Sequence, residues 1–174
     1  GRFGFPHHCR VVYVATGTAG RLSWPHGAAS MASVVRVAPG PLVNWERLAD
    51  TVRSGQVAEP TDDDPAAFYG PLVQATFPTQ LRAASRLGLR LGWSRQPGLR
   101  VLDLGAGRAP WAIAVLEQSA DSRAVVNDWP TVIELAEHTI DERGLSDRAE
   151  FRAGDFYPLE LGTCFVGFVV LAHI

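Results

Sequence analysis

The chain contains no lysine, and all sixteen of its basic residues are arginines. Its two cysteines, Cys9 and Cys164, lie far apart and lack the spacing of metal ligands. No apolar run approaches the ~20 residues that span a membrane. These absences exclude, within this sequence, a phosphate loop with a lysine, a disulfide framework, a cysteine zinc site and a membrane-spanning helix. They also indicate a reducing compartment, so we expect a cytoplasmic protein.

The charge balance excludes further partners. The formal net charge is −2 at pH 7, whereas binding to nucleic acid or to an anionic membrane requires a basic face. With 174 residues, 47% of them hydrophobic, the chain can bury the core of one domain and still carry an appendage. We therefore expect neither a nucleic acid partner nor a membrane partner.

Three segments of the chain differ in composition. Residues 1–43 contain neither Asp nor Glu and interrupt short apolar runs with glycine, proline and serine, so we expect an irregular segment. Residues 44–95 have the apolar spacing of helices, and residues 96–174 alternate strand and helix patterns. Because the chain starts at Gly1 and stops at Ile174, directly after an apolar segment of strand length, we expect a fragment of a longer protein.

The helical region predicts a first helix that is capped by Asn44 and ends at Gly55. Its apolar face consists of Trp45, Leu48, Ala49 and Val52. Residues 65–91 predict one or two helices, because Pro71 and Pro78 should break or kink the path. We interpret the large apolar residues of this stretch as packing or dimer contacts rather than as a ligand site: Phe68, Tyr69, Leu72, Phe77 and Leu81.

After a turn-rich linker at residues 92–98, strand and helix patterns alternate. The predicted strands are residues 100–104, 124–127, 150–153 and 166–172, and the predicted helices are residues 109–119 and 131–143. Strands that alternate with helices of this length predict an α/β fold with a parallel sheet and right-handed crossovers.

The first of these strands is followed by a glycine turn and a helix start, which is a common nucleotide-binding unit. A dinucleotide site would require a third glycine at position 110, where this chain has Pro110. A methyltransferase site instead has an acid two residues before the first glycine. Asp103, Gly105 and Gly107 match that pattern, and Ala109 stands in for its last glycine. The turn therefore favours the methyltransferase interpretation.

Two further acids follow the next strands. Asp128 ends the second strand and Asp155 follows the third. Taken alone, the first could be a helix cap and the second an ordinary turn. Because the carboxyl ends of parallel strands meet at one edge of the sheet, however, the three acids should converge there. Three carboxylates suit the hydroxyl and amino groups of an uncharged adenosine and would repel a phosphate-rich ligand.

At these residues the chain resembles the class I S-adenosylmethionine-dependent methyltransferases. Within them it resembles the small-molecule O-methyltransferases with a helical dimerisation region ahead of the catalytic domain. The resemblance covers residues 44–174. It rests on residues 44–55, 101–111, 127–130, 154–157 and 169–173.

The resemblance implies a role for each matching residue. Asp103, Gly105 and Gly107 would hold the methionine part of the cofactor, S-adenosylmethionine. Asp128 would hold the ribose, with Trp129 beside it in the same cofactor-binding set, and Asp155 with Phe156 would hold the adenine. The resemblance also implies a partial Rossmann-like sheet with strand order 3-2-1-4 and helices on both faces.

The chain departs from the family pattern at several positions. Ala109 replaces a glycine, which a methyl group permits with slight crowding. Arg108 stands where the family often has a small residue, and we hypothesise that it points to solvent or pairs with the cofactor carboxylate. Gly167 replaces a frequent acid and leaves the start of the fourth strand open. The family's catalytic base falls beyond that strand, so we interpret His173 as a pocket-lining or capping residue and assign no catalytic residue.

The sequence therefore predicts methyl transfer from S-adenosylmethionine to a small-molecule acceptor, as in an O-methyltransferase, without a metal ion. A homodimer formed through residues 44–91 is an expected partner state. Two alternatives stay open at this point. One is an NAD(P)-dependent dehydrogenase, and the other is a non-catalytic fragment that only dimerises.

Overall fold

A computed structural model describes residues 46–56, 65–158 and 167–171 of the chain. The described helices are α1 (Leu48–Ser54), α2 (Pro65–Leu91), α3 (Pro110–Gln118) and α4 (Pro130–Asp141). The strands are β1 (Arg100–Leu104), β2 (Arg123–Asp128), β3 (Ala149–Ala153) and β4 (Gly167–Leu171). Short 3-10 helices lie at Trp93–Arg95 and Ser146–Arg148. Strand β4 thus begins at Gly167, the position that the sequence left open.

Helix α1 ends as predicted, because Gly55 adopts a left-handed conformation (φ 71°) and its N–H caps the carbonyl of Thr51. The predicted apolar face of this helix is not buried among the described residues, since Leu48 is 47% exposed and Val52 is 75% exposed. The predicted cap Asn44, the first apolar residue Trp45, the segment 1–43 and most of the acidic connector lie outside the described residues.

Helix α2 is a single helix of 27 residues that contains both Pro71 and Pro78, so the predicted break does not occur. Each proline removes one helical hydrogen bond. The carbonyl that Pro78 leaves without its donor belongs to Gln74, which is exposed, so water can satisfy it. Burial of other α2 side chains offsets the loss. Ala75, Phe77 and Ala84 are all buried.

The linker between α2 and β1 carries a core residue that the sequence did not indicate. Trp93 is 2% exposed and belongs to the main hydrophobic cluster. Helix α2 passes so close to this indole that a Cβ on Gly88 would lie 2.2 Å from Trp93 Cε3. Gly88 is therefore required by the packing of α2 against the linker, rather than by its backbone conformation.

The four strands form one sheet in the order β3-β2-β1-β4, which is the order that the family resemblance implies. All three pairings are parallel. Alternate residues of β1 and β2 point to opposite faces, as the two-residue period of a strand requires. Val101 and Val126 join the large cluster with α2, α3 and α4, whereas Leu102, Leu104 and Val125 form a small cluster with Phe156.

The described helices α2, α3 and α4 therefore all contribute to one face of the sheet, and the expectation of helices on the second face stays a prediction. The reason is geometric: the order β3-β2-β1 repeats two right-handed crossovers in the same direction, and such crossovers place their helices on the same side. No helix among the described residues is long and apolar enough to cross a membrane.

The turn between β1 and α3 is built on left-handed backbone. Gly105 (φ 61°) and Gly107 (φ 58°) adopt this conformation at no steric cost, and Ala109 adopts it as well (φ 56°). Pro110 then occupies the first turn of α3 as predicted. Alanine in place of the family glycine at position 109 therefore strains the backbone, at a cost of roughly 1 kcal/mol, rather than crowding its methyl group.

Replacement of Ala109 by glycine should therefore be much less destabilising than the same replacement inside α3. Ala109→Gly and Ala114→Gly each delete one fully buried methyl group, worth about 0.8 kcal/mol. Glycine relieves strain at 109 but weakens the helix at 114 by about 1 kcal/mol. Urea unfolding should give a difference of about 2 kcal/mol between the two variants. Equal losses would show that Ala109 is not left-handed in solution.

Candidate functional site

A cavity of about 580 Å³ lies at the carboxyl ends of β1, β2 and β3. Ligands of open parallel sheets bind at this edge. One side of the cavity is formed by helix α2 and the other by the segments that follow the strands. The lining residues are Tyr69, Leu72, Val73, Thr76, Gly105, Asn127, Asp128, Trp129, Val132, Gly154, Asp155 and Phe156.

The cavity brings together five of the seven residues that the sequence predicts for cofactor binding. These five are Gly105, Asp128, Trp129, Asp155 and Phe156. Asp103 and Gly107 are not among the lining residues. Gly107 donates a hydrogen bond to the lining residue Asp128, whereas Asp103 accepts one from Ala112 in α3.

Asp128 is the carboxylate that joins the glycine turn to the end of β2. Its Oδ2 accepts a hydrogen bond of 2.7 Å from the N–H of Gly107, and its Oδ1 accepts one of 2.7 Å from the N–H of Trp129. Burial raises the pKa of Asp128, while these two N–H groups act in the opposite direction. Each carboxylate oxygen retains a second lone pair, so the group can still accept from a ligand hydroxyl.

Gly107 is required by this arrangement for two reasons. Its backbone is left-handed, and a Cβ on it would lie 2.9 Å from Cγ1 of Val73 on α2. A side chain at 107 would therefore push α2 away from the turn and open the cavity. In this structure Gly107 acts through Asp128 and α2, rather than by lining the space itself.

Asp103 is fully buried and does not line the cavity. Its Oδ2 accepts a hydrogen bond of 3.0 Å from the N–H of Ala112 and so anchors the first turn of α3 to β1. Its Oδ1 has no hydrogen-bond partner in the described part of the chain. Burial raises the pKa of Asp103 to about 7, and the nearby charge of Asp128 adds to the shift. The acid is thus a buried anchor of the turn.

The segment after β3 supplies an exposed acid and an aromatic ring. Asp155 accepts a hydrogen bond of 3.0 Å from the N–H of Tyr157, so it also forms the local turn that was its alternative interpretation. Phe156 packs against Leu102 and Val125 and stacks on Tyr157 with ring centroids 4.5 Å apart. The ring is therefore held in place from the sheet side.

Helix α2 provides the lining residues that the sequence interpretation missed. Tyr69 and Leu72 were assigned to packing or dimer contacts, but both line the cavity with Val73 and Thr76. Phe77 is buried in the core and Leu81 packs against it, as expected, while nothing is described for the side chain of Phe68. The four lining residues have the i, i+3, i+4, i+7 spacing of one helix face, which signals a shared face but not what it contacts.

Arg108 does not simply point to solvent, and its pairing with the cofactor carboxylate stays a prediction. Its Nε donates a hydrogen bond of 2.9 Å to Oγ1 of Thr139 on α4, and its guanidinium lies 4.9 Å from the ring centroid of Phe77. Arg108 is half-buried and is not among the cavity-lining residues. It therefore ties the turn to α4 and α2. His173 lies outside the described residues.

The negative charges that line the cavity favour an uncharged or cationic ligand over an anionic one. Among its lining residues in the described part of the chain, the ionisable acids are Asp128 and Asp155, and no arginine is present. Carboxylates accept hydrogen bonds from hydroxyl and amino groups and attract cations, whereas they repel phosphate. The lining from α2, Val132 and Phe156 is mostly apolar. The cavity therefore suits an uncharged or cationic nucleoside.

No protein-family model matches the chain. In sequence, it is similar to the mitomycin biosynthesis 6-O-methyltransferase of Streptomyces lavendulae, with 28% identity over 125 residues. This match covers 65% of the chain and 34% of that enzyme, so the chain spans about a third of the length of this relative.

Solved structures give the same result. The mitomycin 7-O-methyltransferase MmcR matches with a TM-score of 0.63 and 27% identity over 78% of this chain and 43% of that protein. The O-methyltransferase NcsB1 of neocarzinostatin biosynthesis, solved with S-adenosylmethionine and a naphthoic acid, shares the fold (TM-score 0.54, 22% identity, 76% of this chain and 43% of that chain). The chain is thus similar to small-molecule O-methyltransferases in sequence and fold.

Burial of Asp103 should make stability depend on pH in a way that Asp103→Asn removes. Its folded pKa of about 7 lies above the ordinary 3.8, so the unfolded chain releases this proton first as the pH rises. The contribution of Asp103 is therefore greatest below about pH 4 and is lost between pH 4 and 7, on the order of a few kcal/mol. Asparagine keeps an acceptor for the Ala112 N–H and does not ionise.

The measurement is urea unfolding of both proteins at several pH values from 4 to 8. The difference between wild-type and Asp103→Asn unfolding free energies should shift in favour of the variant as the pH rises. A constant difference across this range would contradict the assignment of Asp103 as a buried acid with a raised pKa.

Proposed function

We propose that this chain, which shares sequence similarity and fold with small-molecule O-methyltransferases, binds S-adenosylmethionine and serves methyl transfer to an oxygen atom of a small acceptor. One observation carries the proposal. A carboxylate at the end of the second strand, Asp128, is held by the N–H of Gly107 in the glycine turn and lines a cavity that also contains Asp155.

The lining residues suggest how the cofactor would be held. Asp128 would accept hydrogen bonds from the two ribose hydroxyls, with Trp129 beside it. Asp155 would accept from the adenine amino group, and the ring of Phe156 would lie against the adenine. Gly105, which lines the cavity, would leave room for the methionine part. Asp103 and Gly107 would support this arrangement from behind, since both hold the turn by hydrogen bonds.

The cavity fits such a ligand in size and charge. Its volume of about 580 Å³ lies within the usual range of small-molecule sites. Two lining carboxylates attract the positive charge of a sulfonium and offer no attraction to the pyrophosphate of a nicotinamide dinucleotide. Pro110 also takes the place of the third glycine of a dinucleotide turn. These features disfavour the dehydrogenase alternative.

S-adenosylmethionine supplies a methyl group that is activated by its positively charged sulfur. The chain's own contribution to the displacement is alignment of donor and acceptor and exclusion of water. Asp128 and Asp155 would fix the nucleoside end, and the α2 residues Tyr69, Leu72 and Val73 would cover the cavity. We propose that the acceptor pocket and any general base come from residues outside the described ranges.

The setting of this activity is also a proposal. The scarcity of cysteine supports a cytoplasmic location. A homodimer through residues 44–91 is supported by apolar side chains that are exposed within this range, namely Leu48, Val52, Leu87, Leu89 and Leu91. Under this proposal the three parts of the chain are an irregular segment (1–43), a dimerisation region (44–95) and a cofactor-binding region (96–174).

Calorimetry with S-adenosylhomocysteine tests the function, because this demethylated product of the cofactor has the same nucleoside end. Wild-type protein should bind it, and Asp128→Asn should weaken binding by roughly 10- to 100-fold, since a hydrogen bond to a charged group contributes about 1.5–3 kcal/mol. The single amide oxygen of asparagine can still accept from the Gly107 N–H, and only the exposed bond from the Trp129 N–H is lost, so the fold should persist.

Asp121→Asn is the matched control. Asp121 is exposed and precedes β2, at the opposite end of the strand from Asp128, so this variant should bind like the wild type. Titration with NAD completes the experiment. Binding of NAD without binding of S-adenosylhomocysteine would favour the dehydrogenase, and binding of neither would favour a non-catalytic fragment.

A further inference from the structure

Asn127 connects the ends of three strands at the edge of the cavity. It is 1% exposed and is one of the largest fully buried side chains. Its side-chain Nδ2 donates hydrogen bonds to the main-chain carbonyls of Arg152 (2.7 Å) and Gly154 (2.9 Å), and the main-chain carbonyl of Asn127 accepts one of 3.1 Å from the N–H of Ala106. One residue of β2 therefore bonds to the glycine turn after β1 and to the segment after β3.

These bonds are made where the parallel pairing of β2 and β3 ends. The register pairs Asn127 with Arg152 and Asp128 with Ala153, and the N–H of Gly154 donates the last bond to the carbonyl of Asp128. The chain then turns at Gly154, whose φ is 121°. Beyond the last β2–β3 hydrogen bond, the side chain of Asn127 holds the segment that begins at Gly154 through its bond to the Gly154 carbonyl.

The segment that Asn127 holds carries the adenine side of the site. Gly154, Asp155 and Phe156 follow one another and all line the cavity, and Asn127 precedes Asp128 directly. A displacement of this segment would change the separation between the ribose-binding and adenine-binding acids. We propose that Asn127 is a positioning residue that sets this separation and thereby the preference of the site for adenine. This inference rests on the proposed function.

Only a side chain with two donor hydrogens and no charge can fill this role. An apolar side chain of similar size would leave the carbonyls of Arg152 and Gly154 without the donor they share. Aspartate would have no hydrogen to donate and would place a third negative charge beside Asp128 and near Asp103. The amide of asparagine meets both requirements, because its nitrogen carries two hydrogens.

The test compares S-adenosylhomocysteine with its hypoxanthine analogue, which carries an oxygen in place of the adenine amino group. Wild-type protein should prefer the adenine compound by about tenfold or more, since one hydrogen bond distinguishes the two. Asn127→Leu should weaken binding of S-adenosylhomocysteine and reduce this preference to nearly one. Hydrogen exchange at the Gly154 amide should also become faster in the ligand-free variant.

Ser122→Ala is the matched structural control. Ser122 is fully buried just before β2, and its hydroxyl contacts two main-chain carbonyls, those of Ser119 (2.6 Å) and Val115 (3.3 Å). It lies at the end of the sheet opposite the cavity. This variant should lose stability while keeping the base preference and the exchange rate at Gly154 of the wild type.

The outcomes separate the two proposals. If wild-type protein does not bind S-adenosylhomocysteine, the proposed function fails. If it binds with the expected preference and Asn127→Leu keeps that preference and the slow exchange at Gly154, the role of Asn127 is refuted. If Asn127→Leu does not unfold cooperatively, Asn127→Ser is measured instead, because serine retains one donor. We expect this variant to lose part of the preference for adenine. An unchanged preference would overturn the inference.

Discussion

The site depends on the hydrogen bond from the Gly107 N–H to the carboxylate of Asp128. It joins the turn after β1 to the end of β2, and it forms because both lie at the carboxyl edge of a parallel sheet. The close approach of α2 depends on the same turn, since Val73 occupies the space that a side chain at 107 would need. A change in this turn would therefore alter the carboxylate and the wall of the cavity together.

Around this bond the structure uses acids in different ways. Asp103 is enclosed and anchors the start of α3, whereas Asp155 is exposed and Asp128 lies between these extremes. Two buried or half-buried acids so close together are costly, because burial disfavours their charged forms. Backbone N–H groups offset part of this cost at both positions. A cationic ligand would lower it further, which is consistent with a sulfonium cofactor.

Much of this arrangement could be predicted from the sequence. The alternation of strands and helices placed β1 at its observed bounds, and the positions of Asp128 and Asp155 after successive strands predicted that they would share one edge. Two features could not be predicted in this way. The continuity of α2 through Pro71 and Pro78 depends on the burial of Phe77 and Ala84. The contribution of Tyr69 and Leu72 to the cavity depends on where α2 packs.

The sequence by itself determined the order of elements, the glycine turn and the acids at the strand ends, because these follow from local backbone preferences and from the two-residue period of strands. Only the tertiary structure decided which residues line the cavity and which support it. Gly107 does not line the cavity because α2 packs against the turn. Asp103 does not line it either, because it is buried and bonded to the start of α3. Two residues of the glycine-turn motif, Asp103 and Gly107, therefore support the cavity rather than line it. The sequence could not show this, because burial depends on residues far away in the chain.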